Sequence, residues 1–285
     1  MKYAAPVTVE EASELLAATP GARVFAGATD ILPQARAGRE LPDVLVDLKR
    51  IPRLSALANG DGWTIGAAAP AARVAHDPAF RSQYPGLAEG LALIGSDQIQ
   101  SRATLGGNLC NASPAADTGP PMVVNEARAV VASVDGERTI PVSELAVGPG
   151  RTSLRDGEFV VEFLLERPGP RRADAYLRFT PRTEMDIAVV GAAARIEFDP
   201  AGVCSGASVV LGAVAPTTVR VEGVDELLAG SSFEDDVLER VVALCRDACR
   251  PIDDKRGTKE YRTHVAGVLA VRAIKIAAAR AGGEG

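Results

Sequence analysis

The sequence predicts two unequal parts, the second of α+β organisation, and three observations carry that reading. Two β-rich runs, residues 129–134 and 137–142, flank Asp135-Gly136, the dipeptide that favours a type I′ turn, so they form a hairpin. Arg167-Pro168-Gly169-Pro170-Arg171-Arg172 combines two prolines, a glycine and flanking charge and reads as a linker. Beyond it, three β-rich runs (175–180, 187–198 and 207–214) precede two longer helical patterns (234–249 and 259–279), the order of an α+β unit.

Taken from the start, Thr8 and Glu11 have capping-box spacing. Ala12, Leu15 and Leu16 then supply one apolar face, which predicts a helix over 9–18 that Pro20-Gly21 ends. Val24-Phe25 is a short apolar run that leads into Ala26-Gly27-Ala28-Thr29-Asp30, a strand followed by a turn of small residues. Residues 43–48 and 63–68 read as strands, 85–95 as a helix and 158–166 as a further strand. In the last helix Tyr261, Val265, Val268, Leu269, Ala273 and Ile276 line one stripe. Cys245 and Cys249 stand four apart on one helix face. They could hold half a metal site, but small hydrophobes packed with Val241 and Ala248 suit them better.

Composition excludes several function classes. Of 285 residues, 47% are hydrophobic and 24% charged, enough to build a core and too apolar for disorder. The balance of 31 basic against 37 acidic residues gives a net charge of −6, and aromatics are only 4%, so neither phosphate-backbone binding nor base stacking is favoured. No run approaches the ~20 apolar residues of a membrane span. The amino terminus has no long apolar segment and reads as that of a cytoplasmic protein. Four scattered cysteines make no disulfide framework and no iron–sulfur cluster motif, and two distant histidines, His76 and His264, make no metal motif. The nucleophile elbow, the phosphate-binding P-loop and the dinucleotide-binding glycine motif after a strand are all absent.

Two segments stand apart. The first is Val24, Phe25, Ala26, Gly27, Ala28, Thr29, Asp30 and Ile31. The second runs over 98–118 and contains Thr104, Leu105, Gly106, Gly107, Asn108, Asn111 and Asp117. Both mix glycine or alanine with Thr, Ser, Asn and Asp. Small side chains let a backbone approach a ligand closely, and consecutive N–H groups form an anion-binding nest. Hydrogen bonds to charged oxygens are worth about 1.5–3 kcal/mol each, so two such segments could hold a pyrophosphate without a lysine. Either could also be an ordinary turn.

Ala26-Gly27-Ala28-Thr29-Asp30 resembles the AGGTD loop of the FAD-binding medium subunits of molybdenum hydroxylases, the xanthine dehydrogenase and carbon monoxide dehydrogenase family. Residues 98–118, with Thr104-Leu105-Gly106-Gly107-Asn108 and Ala112-Ser113-Pro114-Ala115-Ala116-Asp117, resemble that family's second flavin loop. Residues 178–188 resemble the segment after its flavin domain, and residues 253–257 with Tyr261-Arg262 its carboxy-terminal signature. The resemblance implies a two-subdomain flavin domain of the vanillyl-alcohol-oxidase (PCMH) type over 1–172, split near 55–60, and a smaller α+β domain over 173–285. It implies non-covalent FAD, with 24–31 around the pyrophosphate, Thr104, Gly106, Gly107 and Asn108 as a second wall, and Leu105 approaching the isoalloxazine. Asn111 and Asp117 would make polar contacts to the cofactor, Val160 would contact it, and Arg178 would meet the flavin's polar edge or a phosphate. Ala28 departs from the second glycine of AGGTD, a cost if that position needs φ > 0.

The resemblance further implies an electron-transfer subunit. A large partner would carry the molybdopterin and a small one two [2Fe–2S] clusters, in a dimer of heterotrimers. FAD would deliver electrons to NAD or another acceptor. A self-contained FAD oxidase of the same superfamily and a scaffold without flavin are the alternatives.

Overall fold

The computed structural model describes residues 2–182 and 185–282, so Thr183 and Glu184 of the 178–188 segment lie outside the described residues. The chain opens with β1 (Lys2–Ala4), α1 (Val9–Ala18), β2 (Arg23–Phe25), α2 (Ile31–Arg36) and β3 (Val44–Asp47). The strands form a parallel sheet in the order β1-β3-β2. Thr8 caps α1 by accepting from the Glu11 N–H, while the Glu11 carboxylate reaches one residue further back than a capping box requires and accepts from the Val7 N–H at 2.8 Å. Ala12 and Leu16 of α1 pack on Val46, Phe159 and Val161 in a small core of their own.

After residue 56 the chain enters a second sheet. β4 (Leu57–Asn59) and β5 (Gly62–Gly66) precede six short helices: α3 (Ala71–Ala75), α4 (Pro78–Gln83), α5 (Pro85–Ala92), α6 (Asp97–Gln100), α7 (Leu105–Cys110) and α8 (Gly119–Val124). β6 (Arg128–Ser133) and β7 (Gly136–Pro141) form the expected hairpin, but its turn is not type I′: Val134 and Asp135 stand at its centre without positive φ, and Gly136, at φ 111°, already pairs with Ser133. β8 (Ala146–Gly148) and β9 (Arg151–Thr152) pair with each other before β10 (Phe159–Glu166). The antiparallel order β4-β5-β10-β6-β7 places β10 centrally, which explains its nearly continuous apolar sequence.

β11 (Arg172–Phe179), β12 (Val190–Phe198), β13 (Cys204–Gly212) and β14 (Val219–Arg220) form an antiparallel meander, followed by α9 (Val224–Leu228), α10 (Asp235–Ala248) and α11 (Lys259–Gly282). One face of this sheet, with Ala175, Ala192, Ala194, Ile196, Val209 and Leu211, packs on α10 and α11. Tyr176, Ala193 and Val210 point the other way into the core of the preceding sheet and helices. Burial on both faces is why β12 and β13 lack a polar alternation. The buried stripe of α11 differs from the predicted one. Ala266, Ala270, Ala273 and Ala277 are fully buried while Tyr261 is 44% exposed. A helix lying close on an alanine-rich sheet presents its small residues, and the larger Val265 and Ile276 pack at its flanks. Cys245 and Cys249 are buried in that core, and the Cys249 thiol donates to the Cys245 carbonyl.

Polar clamps join the two parts. The buried Asp174 carboxylate accepts from the Gly86 and Leu87 N–H groups at 2.9 and 3.1 Å and from Asn125 Nδ2 at 2.7 Å, closing the first turn of α5. Arg280 pairs with Glu89 and donates to the Asp174 carbonyl. Arg195 pairs with Glu126 at 3.0 Å.

Candidate functional site

A cavity of about 360 Å³ opens where the β2–α2 turn, the start of α7 and the segment before β10 converge, within the size range of small-molecule sites. Every residue from Val24 to Ile31 lines it, as do Thr104, Gly106, Gly107, Asn108, Asn111 and Val160. Two segments more than seventy residues apart in sequence therefore face one space.

The turn owes its course to close backbone contact. A Cβ on Gly27 would lie 2.0 Å from the Arg102 carbonyl oxygen, so only glycine lets the two segments meet. Ala28 adopts φ 61°, the left-handed conformation its alanine disfavours. The N–H groups of Gly27, Ala28, Thr29, Asp30 and Ile31 have no protein acceptor among the described residues. Five successive unpaired donors beside a cavity, with a left-handed residue among them, form a nest that accepts an anion's oxygens. Asp30 stands at the edge of this nest. Burial raises its pKa, and Asn111 Nδ2 donates to its carboxylate at 3.2 Å. Gln34 Nε2 donates to Asn111 Oδ1 at 3.0 Å, so a chain of side chains ties the turn to the end of α7.

The second wall is built differently from the sequence expectation. Residues 105–110 form a helical turn, and Thr104 caps it by accepting from the Gly107 N–H at 3.0 Å. The Gly106 N–H donates to the Ala67 carbonyl and the Asn108 N–H to the Thr104 carbonyl. These three amides are spent within the protein, so this wall offers shape where the first offers donors. A Cβ on Gly107 would meet only Thr104 Oγ1, at 3.0 Å, which leaves that position facing the cavity. The Asn108 side-chain oxygen, Oδ1, accepts from the Thr118 hydroxyl at 2.6 Å.

Leu105, Asp117 and Arg178 do not line the cavity. Leu105 is fully buried in the core beneath it, because the first residue of an N-capped turn points inward here. Asp117 accepts from Tyr176 at 2.9 Å and from Arg178 at 2.8 Å, and the same Arg178 Nη1 donates to the Leu93 carbonyl. Here they form a buried clamp between the 98–118 segment and β11. Burial pushes Asp117 up to about 6 against the opposing pull of Arg178.

Sequence reasoning missed most of the third wall. Thr152 and the run from Leu154 to Phe159 line the cavity, of which only the neighbouring Val160 was expected. The signal for it was Asp156-Gly157, a turn with Gly157 at φ 80° just before a strand. Glu158 receives both Arg138 Nε and Nη2 at 2.7 Å and the Arg155 N–H at 2.7 Å, contacts that fix the turn and hold its carboxyl below the usual range. Leu16, Ala22, Leu48 and Ala68 add an apolar end to the cavity. Neither histidine lines it. Cys110 does, with its thiol pushed up to about 12 by burial.

Residues 1–165 match the family described as the FAD binding domain in molybdopterin dehydrogenase, and residues 175–277 match the CO dehydrogenase flavoprotein C-terminal domain. The xanthine dehydrogenase FAD-binding subunit of Escherichia coli O157:H7 is 29% identical, over 99% of this chain and 97% of its own. A chain of the carbon monoxide dehydrogenase structure from Hydrogenophaga pseudoflava superposes with a TM-score of 0.93 at 30% identity, covering 98% of each chain. The structure of quinoline 2-oxidoreductase from Pseudomonas putida 86 gives 0.92 at 27% identity, covering 99% of this chain and 98% of its own.

Proposed function

The chain belongs to the FAD-binding subunit family of the molybdenum hydroxylases, and we propose that it accepts electrons from [2Fe–2S] clusters on a small partner subunit and passes them to NAD or another acceptor. It is an oxidoreductase subunit that binds FAD. A large partner would carry the molybdopterin and perform the hydroxylation, within a dimer of heterotrimers. No helix among the described residues is long and apolar enough to cross a membrane. We place the end of the flavin domain at 172 and a subdivision near 55–60, where the chain changes sheets.

The observation that carries the cofactor reading is the row of five unpaired amides at 27–31 beside the cavity. A pyrophosphate needs several donors at close range without bulky side chains, and this nest supplies them. Gly107 leaves open the space that a Cβ would enter on the facing wall. These features fit FAD. The residues that would hold it are 24–31, Thr104, Gly106, Gly107, Asn108, Asn111 and Val160, with the 152–159 run as a third side. FAD, when bound, supplies a carrier that takes electrons singly and delivers them in pairs. The protein's own task is to orient that carrier and exclude water from one side of it. No proton transfer is asked of a side chain, in keeping with a cavity that no histidine lines. Attachment would be non-covalent, as the resemblance implies.

The test is the visible spectrum of the purified chain, with the released cofactor identified chromatographically, followed by the metal content of the complex it co-purifies with. Flavin bands, released FAD, and molybdenum and iron in the complex are the expected result. A colourless chain that refuses added FAD would overturn the reading.

A further inference from the structure

Lys49 does not line the cavity, yet its ammonium reaches the turn that does. Nζ donates to the Ala26 carbonyl at 2.9 Å, sits 4.5 Å above the Phe25 ring and pairs with Asp47 Oδ1 at 2.7 Å. Asp47 is itself fixed. It accepts from the Lys49 N–H at 3.0 Å and from the Tyr3 hydroxyl at 2.8 Å, and it is 6% exposed. A relay from β1 through the end of β3 thus terminates on one peptide unit, Ala26–Gly27.

That peptide unit begins the row of unpaired amides. There is no cis peptide bond among the described residues, and in a planar trans peptide the carbonyl and the following N–H point in opposite directions. Anchoring the Ala26 oxygen on Lys49 therefore aims the Gly27 N–H away from Lys49. On the other side, the Arg102 carbonyl lies so near Gly27 that the unit has little room to rotate. A cation on the carbonyl also polarises the peptide and strengthens its N–H as a donor.

We propose that Lys49 is a positioning residue for the cofactor's phosphates: it aims and polarises the Gly27 amide, although it does not itself reach the cavity. The inference rests on the FAD reading above. It predicts that Lys49 governs the phosphate-bearing ligand selectively.

The test uses the full chain, stripped of flavin and titrated with FAD, comparing wild type with Lys49→Met, which keeps the aliphatic stem, and Lys49→Arg, which keeps a cationic donor. FAD affinity, read from flavin fluorescence, should fall about tenfold or more in Lys49→Met, the scale of one hydrogen bond to a charged oxygen. At saturating FAD the phosphorus NMR resonances of the bound pyrophosphate should shift in Lys49→Met and return toward wild type in Lys49→Arg. A purely structural lysine would change thermal stability without moving those resonances. Should Lys49→Met fail to fold, Asp47→Asn, which frees the ammonium from its anchor, should shift the same resonances. Unchanged phosphorus resonances with FAD affinity within twofold of wild type would overturn the inference while leaving the FAD reading intact. A wild-type chain that binds no FAD would overturn both.

Discussion

Four glycines line the cavity, and the structure assigns different tasks to three of them, Gly27, Gly106 and Gly107. Alanine at 27 would put Cβ 2.0 Å from the Arg102 carbonyl oxygen and 2.7 Å from its carbon. Alanine at 106 would put Cβ 2.5 Å from the Ala67 carbonyl oxygen, which also accepts the Gly106 N–H. In both cases backbone must move, with overpacking costs of about 1–3 kcal/mol or more and, at 106, loss of a buried hydrogen bond. At 107 the only near atom is Thr104 Oγ1 at 3.0 Å, a displacement of a few tenths of an ångström. Alanine there gains about 0.5–1 kcal/mol of helical preference in exchange, and valine somewhat less. Gly107→Val should thus stay folded to within ~1 kcal/mol of wild type while its methyl groups occupy the cavity. Urea unfolding of the flavin-free chains and the flavin-to-protein ratio after saturation with FAD separate the two effects. Gly27→Ala and Gly106→Ala should lose stability and flavin together; Gly107→Val should lose flavin alone. Full FAD content in Gly107→Val would refute the placement of the ligand, and a destabilised Gly107→Val beside a stable Gly27→Ala would refute the geometric reasoning.

Ala28→Gly should stabilise the flavin-free chain by about 0.5–1 kcal/mol in urea unfolding, since it relieves a left-handed alanine at φ 61° against glycine's larger unfolded-state entropy. Arg178→Met leaves the Asp117 carboxylate buried without its cation and should cost about 3–5 kcal/mol, much of it recovered in the double variant with Asp117→Asn, as a double-mutant denaturation cycle would measure. Burial raises Asp174 from 3.8 in the unfolded chain to about 6, so the native state holds that proton more tightly, and the stability it contributes is full below about pH 4 and is lost as pH rises through 6. The melting temperature of wild type should therefore gain on that of Asp174→Asn as the pH is lowered from 7 to 5, and parallel curves would contradict the assignment.

The elements written in local chemistry were legible in the sequence. Thr8 as the N-cap of α1, the hairpin around Asp135-Gly136, and the extents of α1 and α10 are each specified within a few residues and stand close to where expected. β1 escaped because three residues carry no periodicity; it exists only through its pairing with β3. The misplaced stripe on α11 has a tertiary cause. Hydrophobicity ranks valine and isoleucine above alanine, but the sheet face beneath is paved with Ala175, Ala192 and Ala194, and a helix that approaches such a surface closely must do so with alanine.

The site was legible to the same degree and failed at the same boundary. Small residues announced both walls, because close backbone approach leaves glycine and alanine in the sequence whatever the approach serves. They could not announce which amides remain free. That depends on Thr104 closing a helical turn over Gly107 and on Ala67 receiving Gly106, contacts that span up to thirty-nine residues and consume the donors of one wall while leaving the other's intact. Asp117 and Arg178, expected at the cofactor, pair with each other outside the cavity lining for a related reason. A carboxylate and a guanidinium near a ligand loop look alike whether they face the ligand or each other, and only the register of β11 beside the loop decides. Lys49 shows the converse. Nothing near it in sequence marks it, yet the parallel pairing of β2 with β3 brings Phe25 level with Asp47 and so sets the lysine against the first peptide of the nest. Donor supply at this site is a property of strand register, and register is what a sequence read in short windows conceals.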